Sequence, residues 1–228
     1  PQPRTQLKGS SMAKRAVGTP SKFKPSKAPN IYALHEGTVL HRVHPAKYGA
    51  AQFNDTAAGN ARFSPIRNAR GNIIPTIYSA QTFAGAVMET AFHDVPLAGA
   101  LKTKPKADLE TLASSEIKIQ AALVLADLSV RGLSKLGLEK NDLIETDKGA
   151  YAMTRSFAEH LHASHPDIQG LSWVSRKDDT NRAFVLFGDR IRAHAISALA
   201  DSTKSLVSND DTYKQILDLA DEIDVKIV

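Results

Sequence analysis

Five polar side chains with the chemistry of a ligand site interrupt apolar segments of this 228-residue chain. They are Arg42, Arg62, Tyr78, Glu89 and Ser175, and each lies in a short stretch that is typical of a strand or a helix. Arginine side chains bind phosphate bidentately, an aromatic ring packs on a planar base, and a carboxylate stabilises a cationic sugar transition state. The set therefore has the composition of a pocket for an anionic dinucleotide.

Each of these residues also has an ordinary structural explanation. The two arginines would be exposed on strand edges, the tyrosine would be a core aromatic, and the serine would end a strand. No His and Asp pair lies at triad-like spacing from Ser175, so a positioning role is expected for this serine and not nucleophilic attack. His93 and Arg176 flank the key positions and are weaker candidates for the same pocket.

The sequence indicates no metal site, no cysteine chemistry and no known nucleotide-binding motif. His160, His162 and His165 are close in sequence, but the first two would point about 200° apart on a helix, so no metal site is expected. The chain has no cysteine, which excludes thiolate ligands and cysteine nucleophiles. It also lacks the G-x-G-x-x-G and G-x-x-x-x-G-K-[ST] motifs, so a dinucleotide would bind without a Rossmann fingerprint.

The apolar pattern predicts short strands separated by single helices. Strands are predicted at 38–43, 61–63, 73–79, 117–128, 171–174, 183–187 and 225–228, and helices at 81–92, 148–163 and 211–222. Segment 101–115 is polar and is predicted to be irregular. Regular strand–helix–strand spacing is missing, which favours the α+β class, a single domain with a mixed or antiparallel sheet and flanking helices.

The helical periodicity by itself does not identify Glu89 as a site residue. On the helix predicted at 81–92, the apolar stripe contains Ala84, Val87, Met88 and Ala91. Glu89 lies about 140° from Ala84 on the helical wheel. This position predicts an exposed side chain.

Charge divides the chain into two parts. Residues 1–30 carry seven basic residues and no acidic one, so subtracting these seven from the formal net charge of +5 leaves −2 for residues 31–228. The first segment is rich in Pro, Ser and Lys and is predicted to be a disordered basic tail. The folded domain is predicted at 31–228. Its lack of a basic excess argues against direct DNA binding by this chain, as does the absence of a recognisable helix-turn-helix.

The ordered set of polar residues resembles the RES family, which is named for its Arg, Glu and Ser. The resemblance covers roughly 38–187, and its most specific stretches are Ala61-Arg62-Phe63-Ser64, Pro75-Thr76-Ile77-Tyr78-Ser79-Ala80 and Glu89-Thr90-Ala91-Phe92-His93-Asp94. The family often has Asn at the position of Ser64. The resemblance implies a fold related to the ADP-ribosyltransferase toxins and an enzyme that cleaves NAD.

The resemblance also implies roles for the candidate residues. Glu89, Arg42 and Ser175 would form the catalytic group, and NAD would be held by Arg42, Arg62, Tyr78, Ser175, Arg176 and His93. The two arginines would grip the pyrophosphate, Tyr78 would pack on nicotinamide or its ribose, and Glu89 would stabilise the charge on the ribosyl carbon. NAD is then a substrate, with phosphate as a possible co-substrate and no resident cofactor or metal.

The implied function is that of a bacterial toxin that arrests growth by breaking the nicotinamide–ribose bond of NAD, by phosphorolysis or by hydrolysis. A cognate protein antitoxin would block the cleft, and a homo-oligomer is left open. The first alternative is an ADP-ribosyltransferase that modifies a protein or small-molecule target. The second is a non-catalytic binding protein that acts through its basic tail. No run of about 18 apolar residues is present, and the lack of cysteine fits a cytoplasmic protein.

Overall fold

The computed structural model describes residues 23–96, 98–99 and 101–228. The strands are β1 (Ile31–Leu34), β2 (Val39–Pro45), β3 (Ile66–Arg67), β4 (Ile73–Ile74), β5 (Thr76–Ala80), β6 (Lys102–Lys104), β7 (Leu112–Ile119), β8 (Leu123–Asp127), β9 (Gly170–Val174), β10 (Arg182–Phe187), β11 (Ile196–Ala198), β12 (Lys204–Ser205) and β13 (Val225–Ile227). The helices are α1 (Phe83–Thr90), α2 (Ala107–Glu110), α3 (Val130–Lys135), α4 (Lys140–Leu143), α5 (Tyr151–Ser164) and α6 (Asp210–Glu222).

Nine of these strands form one mixed sheet. Its order is β1-β8-β9-β10-β5-β2-β7-β11, and β12 also pairs with β7. The β8–β9 pair is parallel, and the other pairs in this sheet are antiparallel. Two small sheets, β13-β6 and β3-β4, lie outside it. The expected α+β class with a mixed sheet and flanking helices is confirmed.

The connection between β7 and β8 forces this sheet to curl. The two strands are five positions apart in the sheet order, which would separate them by about 24 Å if the sheet were flat. Only residues 120–122 join them, and four Cα–Cα steps span at most about 15 Å. The sheet therefore bends until its second and seventh strands approach each other.

Alternate side chains of the curled sheet enter different parts of the core. On β10, Ala183, Val185 and Phe187 belong to a cluster that α5 covers, whereas Phe184 and Leu186 belong to a cluster built from strands and their connecting loops. A third cluster packs α1 and α6 against the sheet. This alternation is the period of two expected of a strand with both faces buried.

Two contacts fix the start of α1, the helix that carries Glu89. The hydroxyl oxygen of Thr82 caps the helix by accepting a hydrogen bond from the Gly85 amide at 3.0 Å. The same hydroxyl donates to Asn181 Oδ1 at 2.5 Å, which ties the helix to the residue before β10. A Cβ atom on Gly85 would lie only 3.0 Å from that of Asn181, so a glycine permits this close approach.

Several predicted elements have different boundaries in the structure. Segment 61–63, predicted as a strand, is a tight turn closed by an antiparallel bridge from Ala61 to Ser64. The predicted strand at 117–128 is the end of β7, a turn and β8, and the predicted strand at 73–79 is interrupted at Pro75. Segment 101–115, predicted to be irregular, contains β6, α2 and the first part of β7.

The junction between the predicted tail and the domain lies earlier than residue 31. Phe23 is only 3% exposed and belongs to the cluster under α5, and His160 Nε2 lies 3.1 Å from the Pro25 carbonyl oxygen. Phe23 and Pro25 therefore contact the body, and the predicted disorder of residues 1–22 falls outside the described residues. Within the described parts of the chain, no helix is both long enough and apolar enough to span a membrane.

Candidate active site

A cavity of about 370 Å³ opens beside the middle of the sheet. β2 and β5 line it from the sheet, the end of α1 forms one wall, and the loop before β3 and the start of α5 complete it. Five of the residues predicted from the sequence lie around it: Arg42, Arg62, Tyr78, Glu89 and His93. The structure thus brings together side chains that are up to 51 positions apart in sequence.

Glu89 lies in the last turn of α1 and lines the cavity. Its Oε1 atom is buried and has no hydrogen-bond partner among the described residues. The exposed position that the helical wheel predicts is wrong, because α1 is covered on more than one side: Gly85, Ala86, Val87 and Met88 are all buried. A buried carboxylate oxygen without a protein partner is costly, and it is available to a ligand.

Arg42 reaches the cavity from β2, which lies between β5 and β7 and is not an edge strand. Its Nη1 donates to the carbonyl oxygens of Gly49 at 3.0 Å and Ala50 at 2.7 Å. Burial lowers the pKa of the guanidinium to about 10, so the group stays charged at neutral pH. These bonds use one nitrogen and fix the side chain against the adjoining loop.

Arg62 is buried and bonds to the segment around α4. Its Nη1 donates to the Leu143 carbonyl at 2.8 Å and to the hydroxyl of Thr146 at 2.6 Å. The guanidinium also lies 5.3 Å from the ring centre of Tyr151. Burial is the main cause that lowers its pKa. Arg62 therefore supports the wall of the cavity as well as contributing charge to it.

Tyr78 and Trp173 form an aromatic wall. Their ring centres are 6.2 Å apart in an edge-to-face arrangement. The Tyr78 hydroxyl oxygen accepts a hydrogen bond from the Phe63 amide at 3.0 Å, and burial raises the pKa of this phenol to about 12. The phenol is therefore neutral at working pH and offers a flat apolar face to a ligand.

The cavity also contains a chain of polar groups in which His93 is the only residue that the sequence analysis singled out. Lys148 Nζ donates to Asp94 Oδ2 at 2.8 Å, Asp94 Oδ1 lies 3.0 Å from His93 Nδ1, and His93 Nε2 lies 3.2 Å from the Tyr151 hydroxyl. Hydrogen bonds from Lys148 and then from His93 lower the pKa of Asp94 to about 2. His93-Asp94 is visible in the sequence, but Tyr151 starts a helix 58 positions later and carries no local signal.

Ser175 and Arg176 line a different, more open depression of about 730 Å³. Ser175 is 1% exposed, and its hydroxyl oxygen accepts hydrogen bonds from the amides of Lys177 at 3.0 Å and Asp178 at 3.1 Å. Arg176 Nη1 donates to the Thr146 carbonyl at 3.2 Å, while its Nε atom is buried without a partner among the described residues. The structure therefore does not bring these two candidates to the lining of the first cavity.

We expect Ser175→Ala to lower the free energy of unfolding by about 1–3 kcal/mol, because two partly buried amides lose their acceptor. The loss should appear in denaturant unfolding, while kcat and KM of the folded fraction stay within about threefold of the wild type. Ser134→Ala, at an exposed position of α3, is the matched control. A large drop in kcat/KM without a change in stability would instead place the Ser175 hydroxyl on the substrate.

The histidines considered as a metal cluster have separate partners. His162 Nε2 lies 3.1 Å from Asp189 Oδ2, and His160 contacts the backbone of Pro25. Among residues 23–96, 98–99 and 101–228, no group of three or more His, Asp or Glu side chains is placed to hold a metal ion. A reaction without a metal remains a prediction.

Comparisons with known proteins agree with this architecture. The RES domain matches residues 39–207, which is most of the chain. The fold is also similar to that of a chain in the crystal structure of the M. tuberculosis MbcT–MbcA toxin–antitoxin complex, with a TM-score of 0.55 and 17% identity over 80% of this chain and 90% of that chain. No curated protein sequence gives a significant match. The match over residues 39–207 shows that the chain belongs to the RES domain family.

Proposed function

We propose that this protein cleaves the nicotinamide–ribose bond of NAD and acts as the toxin of a toxin–antitoxin pair. One observation carries the proposal: a buried carboxylate oxygen of Glu89 has no hydrogen-bond partner in the described part of the chain and lies in the same cavity as two arginines and an aromatic wall. Such a cavity is complementary to a molecule that joins a pyrophosphate, a planar ring and a sugar that becomes cationic. NAD combines these features.

The dimensions and charges of the cavity support this substrate. A volume of about 370 Å³ lies within the usual range for small-molecule sites. Arg42 and Arg62 would neutralise the pyrophosphate, and Tyr78 with Trp173 would offer an aromatic surface to nicotinamide or its ribose. The substrate would enter a site whose two arginines are already fixed by backbone contacts, which reduces the ordering cost on binding.

The mechanism needs little covalent chemistry from the protein. The glycosidic C–N bond breaks, its electron pair leaves with nicotinamide, and positive charge develops on the ribosyl carbon and ring oxygen. Glu89 would bind the ribose hydroxyls and stabilise that charge. Nicotinamide departs as a neutral molecule, so its departure requires no proton donor.

The toxin role is proposed on the family and on the structural relative. That relative belongs to a toxin–antitoxin complex, and an enzyme that drains NAD would need a partner that restrains it. We propose a protein antitoxin that covers the cavity, with the toxin acting in the cytoplasm. Direct DNA binding by this chain is not part of the proposal.

The test is incubation of the purified protein with NAD, with and without inorganic phosphate, followed by measurement of nicotinamide, ADP-ribose and ADP-ribose 1″-phosphate. Nicotinamide release with either product supports NAD cleavage and identifies the acceptor. Labelled ADP-ribose that appears on macromolecules would identify a transferase. An absence of nicotinamide release, with normal growth on expression, would favour a non-catalytic binding protein.

A further inference from the structure

The chain of polar groups from Lys148 to Tyr151 has a defined direction. Asp94 is ionised and can only accept, so His93 Nδ1 carries the hydrogen that bridges them at 3.0 Å. In the neutral ring His93 Nε2 is then an acceptor, and the Tyr151 hydroxyl donates to it across 3.2 Å. The phenol oxygen of Tyr151 keeps its lone pairs for a further donor. His93 and Tyr151 line the same cavity as Glu89.

The proposed cleavage of NAD leaves one task for such an arrangement. The leaving nicotinamide needs no proton. A general base in the cavity can therefore act only on the molecule that attacks the ribosyl carbon. We propose that Tyr151, His93 and Asp94 form a proton relay that deprotonates water as it attacks the ribosyl carbon. The proposal rests on the proposed function and assigns an acceptor-activating device to the same cavity.

The proton and electron balance of the step is simple. A lone pair of the water oxygen forms the new C–O bond, and the C–N bond breaks with its electron pair on nicotinamide. The water proton moves to the phenol oxygen of Tyr151, whose own proton moves to His93 Nε2. The products are neutral nicotinamide, ADP-ribose and a doubly protonated His93, which later returns the proton to solvent.

The charged groups around the relay favour this transfer. The Asp94 carboxylate stabilises the imidazolium that forms, and Lys148 holds that carboxylate in place at 2.8 Å. The Arg62 guanidinium lies over the Tyr151 ring and stabilises negative charge that develops on the phenol. Other ionisable groups near the relay are Glu89, Arg42, His44 and Tyr78, which line the same cavity. Lys177, whose Nζ donates to the Val95 carbonyl at 2.6 Å, interacts electrostatically with Asp94 and Glu89.

The relay should have different effects on the attack by water and on the attack by inorganic phosphate. Water is a poor nucleophile until it loses a proton, and general-base assistance is worth about 10²–10⁴-fold. Inorganic phosphate already carries unprotonated oxygens at neutral pH and can attack without a base. The relay should therefore matter for hydrolysis and much less for phosphorolysis.

The experiment compares NAD cleavage by the full chain in phosphate-free buffer and in phosphate buffer for the wild type and for His93→Ala, Tyr151→Phe and Asp94→Asn. Each variant is expected to lose about 10²-fold or more in kcat for hydrolysis and clearly less in kcat for phosphorolysis. His194→Ala and Tyr213→Phe, which lie outside the cavity, are matched controls, and thermal unfolding checks that each variant is folded.

Chemical rescue separates a relay from a merely structural contact. Added imidazole should restore hydrolysis by His93→Ala at least about tenfold. A folded His93→Ala that hydrolyses NAD at the wild-type rate overturns the relay, as does an equal loss of both reactions without imidazole rescue. A wild-type protein that releases no nicotinamide overturns both the relay and the proposed function.

Discussion

Glu89→Ala is expected to lower kcat for NAD cleavage by about 10²–10³-fold while the protein remains folded. The reason is that the Glu89 carboxylate would be complementary to charge that exists only in the transition state, so its loss appears mainly in kcat and hardly in KM. Removing it should cost little stability, because its buried Oε1 makes no hydrogen bond to any residue that the structure describes. Steady-state kinetics and denaturant unfolding of the same preparation give both quantities.

Two further variants make this result specific. Glu89→Gln keeps the shape and removes the charge, so it should lose nearly as much activity as the alanine variant. Glu110→Ala, at an exposed position of α2, removes a helical carboxylate far from the cavity and should behave as the wild type. Wild-type turnover in folded Glu89→Ala would remove Glu89 from the proposed mechanism.

Local sequence patterns predict which helices and strands are present better than they predict where these begin and end. The helix around Glu89 is expected from four apolar residues at helical spacing and is present as α1. Segment 61–63 is predicted as a strand, yet its backbone is a turn closed by a local bridge. Phe23 is a single buried aromatic in a polar, proline-rich segment, and one residue gives no periodicity to detect.

Long-range geometry is the part that no local pattern contains. The curl of the sheet places β2, α1 and the start of α5 around one cavity, so Glu89 is enclosed although its wheel position suggests exposure. The same geometry brings Tyr151 to His93. Ser175 fits its motif equally well, but its hydroxyl bonds to the following loop. The sequence motifs therefore predicted five of the residues that line the cavity. They did not predict that Tyr151 lines it too, or that Ser175 does not.

Arg42 and Arg62 are both expected to act mainly on the affinity for NAD. A pyrophosphate carries the same charge in the ground state and in the transition state, so a group that grips it contributes uniform binding and affects KM. Arg42→Ala and Arg62→Ala should each raise KM for NAD by about 10–100-fold, from the charged hydrogen bonds that are lost. The lysine variants should recover only part of this, because an ammonium keeps the charge without the planar fork.

Stability should distinguish them further. Arg62 is buried and bonds to Leu143 and Thr146, so Arg62→Ala should also lower the free energy of unfolding by about 1–3 kcal/mol through acceptors left unpaired. Arg42 is half-buried and bonds to a loop, so its loss should be the smaller of the two in denaturant unfolding. Arg131→Ala, exposed on α3, is the control for loss of a cation. If either cavity variant binds NAD normally and loses only kcat, that arginine acts on the reacting ribose and its assignment to the pyrophosphate is wrong.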